Sequence, residues 1–153
     1  MAFELKSAAC TPGGRITKKY TADGSDVSPP LEWSEPPPAT KSFAIICDYP
    51  DAPVGNWVHW LLWGLPAEFR SLEENVPKQE TLPNGAKQGR NDFKRIGYGG
   101  PAPPRGPAHR YFFKLYALDS VPDLKPGASK AELERAMKAH VLAESELIGT
   151  YSR

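Results

Sequence analysis

Ser42 to Leu65 reads S-F-A-I-I-C-D-Y-P-D-A-P-V-G-N-W-V-H-W-L-L-W-G-L. A short apolar run, Ser42 to Tyr49, stops at a proline and predicts a buried strand. Pro50-Asp51-Ala52-Pro53 follows as a turn stiffened by two prolines. Asn56 to Leu65 is a second apolar run, rich in aromatics, and predicts a second strand. It opens with His59 flanked by tryptophans.

The rest of the chain extends this pattern. Ala108 to Asp119 is the third and longest strand-like run, and Phe3 to Ser7 alternates weakly as an edge strand would. Arg15 to Tyr20 and Leu31 to Trp33 read as short strands between Asp-Gly and Pro-Pro turns. Ser129-Lys-Ala-Glu132 is a capping box, in which hydroxyl and carboxylate each satisfy an orphan backbone N–H. Leu133, Ala136, Met137 and His140 then recur at helical spacing, so one helix is expected near residues 129–140. From Val141 the period changes to two, and Gly149-Thr150-Tyr151 favours a final strand. Many short strands with Pro/Gly turns and one helix predict a mainly β sandwich.

The 153 residues fit one domain spanning 1–153, long enough to bury a sizeable core. A net charge of +1 with 24% charged residues argues against a large nucleic-acid or membrane footprint. No apolar run approaches the ~20 residues of a membrane span. Met1 to Cys10 carries Glu4 and Lys6 in place of a signal peptide's apolar core, so a cytoplasmic protein is expected. The two cysteines, Cys10 and Cys47, then read as free thiols. The 17 prolines fall in clusters between apolar segments, which describes stiff, structured loops.

Side chains alternate along a strand, so His109, Tyr111, Phe113 and Leu115 share a face and Arg110, Phe112, Lys114 and Tyr116 share the other. Just upstream lies G-G-P-A-P-P-R-G-P, Gly99 to Pro107. Its glycines leave backbone N–H groups unshielded, and such groups can cradle an anion. If the second and third strands start side by side, two imidazoles and a phenol converge beneath two rigid loops. The same residues suit a satisfied core histidine and a loop that merely stiffens a connection; both readings stand at this point. Other chemistries lack their residues. There is no G-x-S-x-G elbow. The three histidines lack metal-ligand spacing, so no metal and no cofactor are expected. No G-K-[ST] follows Gly99-Gly100, so the loop is not a P-loop.

P-D-A-P at Pro50 to Pro53, W-V-H-W at Trp57 to Trp60, N-D-F at Asn91 to Phe93, and G-P-A-P-P-R-G…H-R-Y-F-F-K-L-Y-A-L-D from Gly100 to Asp119 resemble the phosphatidylethanolamine-binding protein family. The closer resemblance is to its bacterial and archaeal Raf kinase inhibitor-like branch (YbhB/YbcL type). It implies a sandwich of two antiparallel β-sheets. It also implies a non-enzymatic binding and regulatory protein with a small pocket for phosphate-containing or other anionic ligands. The pocket would be built by His59, His109 and Tyr111 as hydrogen-bond donors, with Gly100 and Pro101 lending backbone and Asp51 and Tyr49 at its lip. A kinase or a serine protease is implied as protein partner, inhibition of serine proteases through a surface loop is the alternative activity, and a homodimer is the implied assembly. The resemblance also implies that eukaryotic relatives extend into a C-terminal helix beside the pocket mouth, so that with the sequence stopping at Arg153 a mouth that is more open, or covered by a partner, is expected.

Two positions depart from the family pattern. The usual D-P-D-A-P is here Y-P-D-A-P, so Tyr49 replaces an aspartate, and Asp48, one residue upstream, would face the other way. Ala102 stands where the branch often has cysteine. Losing a carboxylate beside two histidines removes a group that raises their pKa and can hold an ammonium. A pocket biased toward small anions over zwitterionic head groups is therefore expected.

Overall fold

The computed structural model describes residues 3–53 and 55–153. Met1, Ala2 and Val54, which the readings of the N-terminus and of the turn include, lie outside them. Among the described residues the strands are β1 (Leu5–Lys6), β2 (Leu31–Trp33), β3 (Ser42–Tyr49), β4 (Trp57–Pro66), β5 (Ser71–Leu72), β6 (Lys87–Gln88), β7 (His109–Leu118) and β8 (Val141–Tyr151), with one α-helix, α1 (Lys130–Met137), before β8. They form a three-stranded sheet, β1-β2-β5, and a five-stranded sheet, β6-β4-β3-β7-β8. Every pairing between these strands is antiparallel. The expected mainly β, two-sheet architecture with one helix and a C-terminal strand is the observed one.

β3 lies at the centre of the larger sheet and is buried along its whole length. Phe43, Ile45, Cys47 and Tyr49 share the main core with Leu5, Leu31, Trp33 and Leu72 of the small sheet. Ala44 and Ile46 share a second core with Leu133 and Met137 of α1. A strand covered on both faces has no polar face to alternate with, which is why Phe43 to Cys47 reads as an unbroken apolar run. Its two cores are filled from opposite sides by sheet and helix.

β4 does not run straight beside β3. Cys47 pairs with Trp60 and Asp48 with Val58, so His59 is an extra residue opposite neither. This is a β-bulge, which locally re-aims side chains. Simple alternation would send His59 and Trp60 to opposite faces. With the bulge, Trp60 enters the main core and His59 also turns to that side, against Tyr49 and Tyr111. A second irregularity falls at Gly64, whose φ of 74° is a left-handed conformation that glycine adopts without strain.

Two expectations need correction. Arg15 to Tyr20 is not a strand: Arg15 makes one isolated bridge to Thr150, and Lys18–Tyr20 is a single 3-10 turn. The helix is also shorter than its apolar spacing suggests. Ser129 caps it through the expected box, but Lys138 leaves helical geometry and Ala139 turns left-handed at φ 70°. His140 therefore lies beyond the helix, where its Nδ1 meets Asp119 at 2.8 Å.

Asp48 is 1% exposed and faces away from the main core, as its position one residue before Tyr49 predicts. Its Oδ2 accepts from Asn56 at 3.1 Å and pairs with Lys130 at 3.1 Å and Lys114 at 3.3 Å. The carboxylate thus ties α1 to β7 across β3. Both lysines reach water, so truncating Asp48 leaves them hydrated rather than stranded. Asp48→Ala is expected to lower the unfolding free energy by about 1.5–3 kcal/mol, the worth of hydrogen bonds to a charged group. Urea denaturation measures this; no shift in midpoint would contradict the role.

Candidate functional site

The antiparallel order β4-β3-β7 brings the end of β3 and the beginnings of β4 and β7 to one edge of the sandwich. Tyr49 pairs with Trp57, and Asp48 with both Val58 and Phe112. Four aromatic side chains meet there. The Tyr49 ring stacks on Tyr111 at 4.6 Å between centroids, and the His59 ring stands edge-on to Tyr111 at 5.3 Å and lies 6.0 Å from Tyr49. His109 meets Tyr49 edge-on at 5.4 Å, and the Tyr49 hydroxyl and His109 Nδ1 share a hydrogen bond of 2.8 Å.

His59 is 1% exposed. Its Nδ1 lies 2.5 Å from the Gly99 carbonyl oxygen. A carbonyl can only accept, so the imidazole proton sits on Nδ1 and is donated to Gly99. Burial lowers the pKa of His59 from its usual 6.5 to about 4, against the opposing pull of the Gly99 carbonyl and of Asp26, Asp48 and Asp92. Near neutral pH the ring therefore carries one proton, and Nε2 presents a lone pair. That Nε2 is buried without a hydrogen-bond partner, as is the Tyr111 hydroxyl. Burial also pushes the Tyr111 phenol pKa up, so its hydroxyl keeps its proton.

A cavity of about 180 Å³ adjoins these rings, lined by Tyr49, Ala52, Pro53, Trp57, His59, Phe93, Ala102 and Pro104. Of the residues expected to build a site, His59 and Tyr49 line it. His109 and Tyr111 stand behind Tyr49, one bonded to its hydroxyl and the other stacked on its ring.

Asp51, Gly100 and Pro101 are not brought to the cavity. Asp51 grips Arg110 instead, taking its backbone N–H at 2.9 Å and its guanidinium at 3.0 and 3.1 Å. The Arg110 guanidinium and backbone hold the Asp51 carboxyl below the usual range. The Gly100 N–H, expected to face an anion, donates to Asp26 Oδ1 at 2.6 Å. Pro101 has no N–H, and its carbonyl accepts from Ala22 at 3.0 Å. A side chain at 100 would run into Asp26 and the Tyr20 backbone, which is what glycine avoids there.

Phe93, Trp57, Pro104 and the Gly99 carbonyl were not singled out as site residues from sequence. Phe93 rides on a turn organised by Asn91, whose Oδ1 accepts from the N–H groups of Phe93 and Arg95 and whose Nδ2 donates to Gly97. Asn-Asp followed by an aromatic is the one signal that marks such a turn. The Phe93 ring packs edge-on to both His59, at 5.2 Å, and Trp57, at 5.5 Å.

Comparison with known proteins follows the same lines. The profile of the family described as Phosphatidylethanolamine-binding protein matches residues 6–152. A UPF0098 protein of Methanothermobacter thermautotrophicus is 53% identical over 151 residues, covering 99% of each chain. The UPF0098 protein YbhB of Escherichia coli is 41% identical over 152 residues, 97% of this chain and 96% of that one. The crystal structure of Escherichia coli YbcL, a member of the mammalian PEBP family, superposes with a TM-score of 0.91 at 34% identity, covering 100% of this chain and 99% of the other.

The lowered pKa of His59 has a consequence for stability. Between pH 6.5 and about 4 the unfolded chain takes up a proton that the folded chain refuses. The contribution is complete above 6.5 and is lost as pH falls through that window, by about 3 kcal/mol at its lower end. Urea unfolding of the wild type and His59→Phe across this range should show a difference that changes by that amount. A difference that stays flat would contradict the buried neutral imidazole.

Proposed function

The chain belongs to the phosphatidylethanolamine-binding protein family, alongside YbhB and YbcL, and from that premise we propose that it is a non-enzymatic binding protein whose ligand is a small phosphate-containing or other anionic group seated at His59. The observation that carries this reading is the buried, unpartnered Nε2 of His59, a residue that lines the cavity. Buried polar atoms are normally satisfied, and one left open beside a cavity is a place for a ligand atom.

Size supports a small ligand. About 180 Å³ is roughly six water molecules' share of liquid volume and falls below the ~300 Å³ at which drug-sized sites begin. A phosphate or a single head group fits these dimensions; a diacyl lipid body does not. Tyr49 contributes to this limit, since its ring fills the space above Tyr111 that a shorter aspartate would leave open.

Charge supports an anion of low charge over a zwitterion. Among the described residues no carboxylate lines the cavity: Asp51 is held by Arg110 and Asp48 by two lysines on the opposite face. An ammonium group would find no anionic partner there. None of the lining residues is a lysine or arginine either, so affinity of the order of millimolar is expected.

A second reading rests on the loop after Pro101. Arg105 is exposed within it, and Arg153 pins it by donating to the Pro103 carbonyl at 3.3 Å while accepting from the Gly106 N–H. A stiff loop with a basic residue suits docking into a serine protease, since preorganisation lowers the entropy cost. Trypsin inhibition that disappears in Arg105→Ala and persists in His59→Phe would support that reading over the pocket.

Isothermal titration of the protein with inorganic phosphate and with phosphoethanolamine tests the pocket reading. Saturable phosphate binding is expected, at least as tight as that of phosphoethanolamine and lost in His59→Phe. Clearly tighter phosphoethanolamine binding, or phosphate binding untouched by the substitution, would overturn it.

A further inference from the structure

If the cavity beside His59 is a ligand site, the hydrogen-bond direction at that site narrows the chemistry of what enters it. We propose that this pocket selects oxyanions that bring their own acidic proton, a hydrogen phosphate donating its P–O–H to His59 Nε2, and rejects oxyanions that carry none. The inference rests on the pocket reading above and adds a direction to its central hydrogen bond.

The Gly99 carbonyl sets the direction of this hydrogen bond. At 2.5 Å it takes the one proton of a neutral imidazole through Nδ1, so the nitrogen left for a ligand is an acceptor. A proton-free oxyanion offers only lone pairs. Facing Nε2, it would set acceptor against acceptor in a buried site, where an unmade hydrogen bond is costly. A hydrogen phosphate offers both kinds of group. Its O–H satisfies Nε2, which is buried without a partner.

The site could instead accept a proton-free anion by protonating His59 first. The surroundings oppose this. Tyr49 on β3 and Tyr111 on β7 face the ring as neutral phenols, and Tyr49 separates it from His109. The nearby carboxylates are otherwise occupied. Asp26 accepts from Gly100, Asp92 accepts from the Val58 N–H at 2.7 Å, and Asp48 faces α1. Their attraction is outweighed by burial, which holds the imidazole near pKa 4. At pH 7 the doubly protonated ring is then about one part in 10³ of the population. A ligand that requires it loses affinity by the same factor.

The test compares four small anions at pH 7 and constant ionic strength, by ¹⁵N-edited NMR titration of the histidine side chains. Inorganic phosphate carries an O–H in both of its forms at this pH. Methyl phosphate carries one only in the minority monoanion, because its second pKa is about 6. Sulfate and dimethyl phosphate carry none. The expected result is saturable binding of phosphate with His59 Nε2 still unprotonated, about tenfold weaker binding of methyl phosphate, and binding of sulfate and dimethyl phosphate weaker by 100-fold or more. Sulfate binding within a few-fold of phosphate, or a His59 ring protonated on both nitrogens in the phosphate complex, would overturn the inference and leave the pocket reading intact. Absence of binding by all four would overturn both.

Discussion

His59 has one proton to give, and the Gly99 carbonyl takes it. That bond depends on the rest of the fold. The β-bulge in β4 turns the imidazole inward beside Trp60. The loop containing Asn91 and Phe93 brings the chain back to the Gly99 carbonyl, while Asp26 holds the neighbouring Gly100 N–H. Burial then keeps the ring neutral. The outcome is a buried nitrogen, His59 Nε2, that presents a lone pair rather than a donor N–H. Geometry at the far nitrogen decides the role of the near one.

Tyr49 is the second determinant. In its family's pattern this position carries an aspartate, which would place a negative charge among two histidines and a tyrosine. Here a phenol takes the place, stacked on Tyr111 and bonded to His109. The substitution changes three properties at once. It removes an anion that would repel a phosphate and attract an ammonium, fills volume above Tyr111, and engages one of the two histidines. Asp51, the remaining carboxylate of the turn, does not compensate, because Arg110 binds it with three hydrogen bonds. At this position a neutral ring stacked on Tyr111 therefore stands where the resemblance implies a carboxylate.

Much of the architecture was legible in the sequence because its signals are local. The three long strands, the capping box at Ser129 and the change to period two after His140 each depend on neighbours within a few residues. What sequence reasoning missed is non-local or silent in composition. The bulge at His59 falls in W-V-H-W-L-L, where every flanking residue is apolar and an added residue leaves no break in the pattern. A backbone carbonyl such as Gly99 has no signature at all. The Gly100 N–H and Asp51 looked available because their partners, Asp26 and Arg110, are far away in sequence. The helix reading ran past Met137 for a related reason: His140 kept the apolar spacing, but the backbone had already turned at Ala139.

The role of His59 Nε2 is tested most directly by a crystal structure of the protein with inorganic phosphate at neutral pH. That structure should show a phosphate oxygen about 2.7–3.2 Å from His59 Nε2, with Nδ1 still bonded to the Gly99 carbonyl. A phosphate held instead by the Gly99-Gly100 backbone or at His109, with His59 Nε2 still unpartnered, would contradict it.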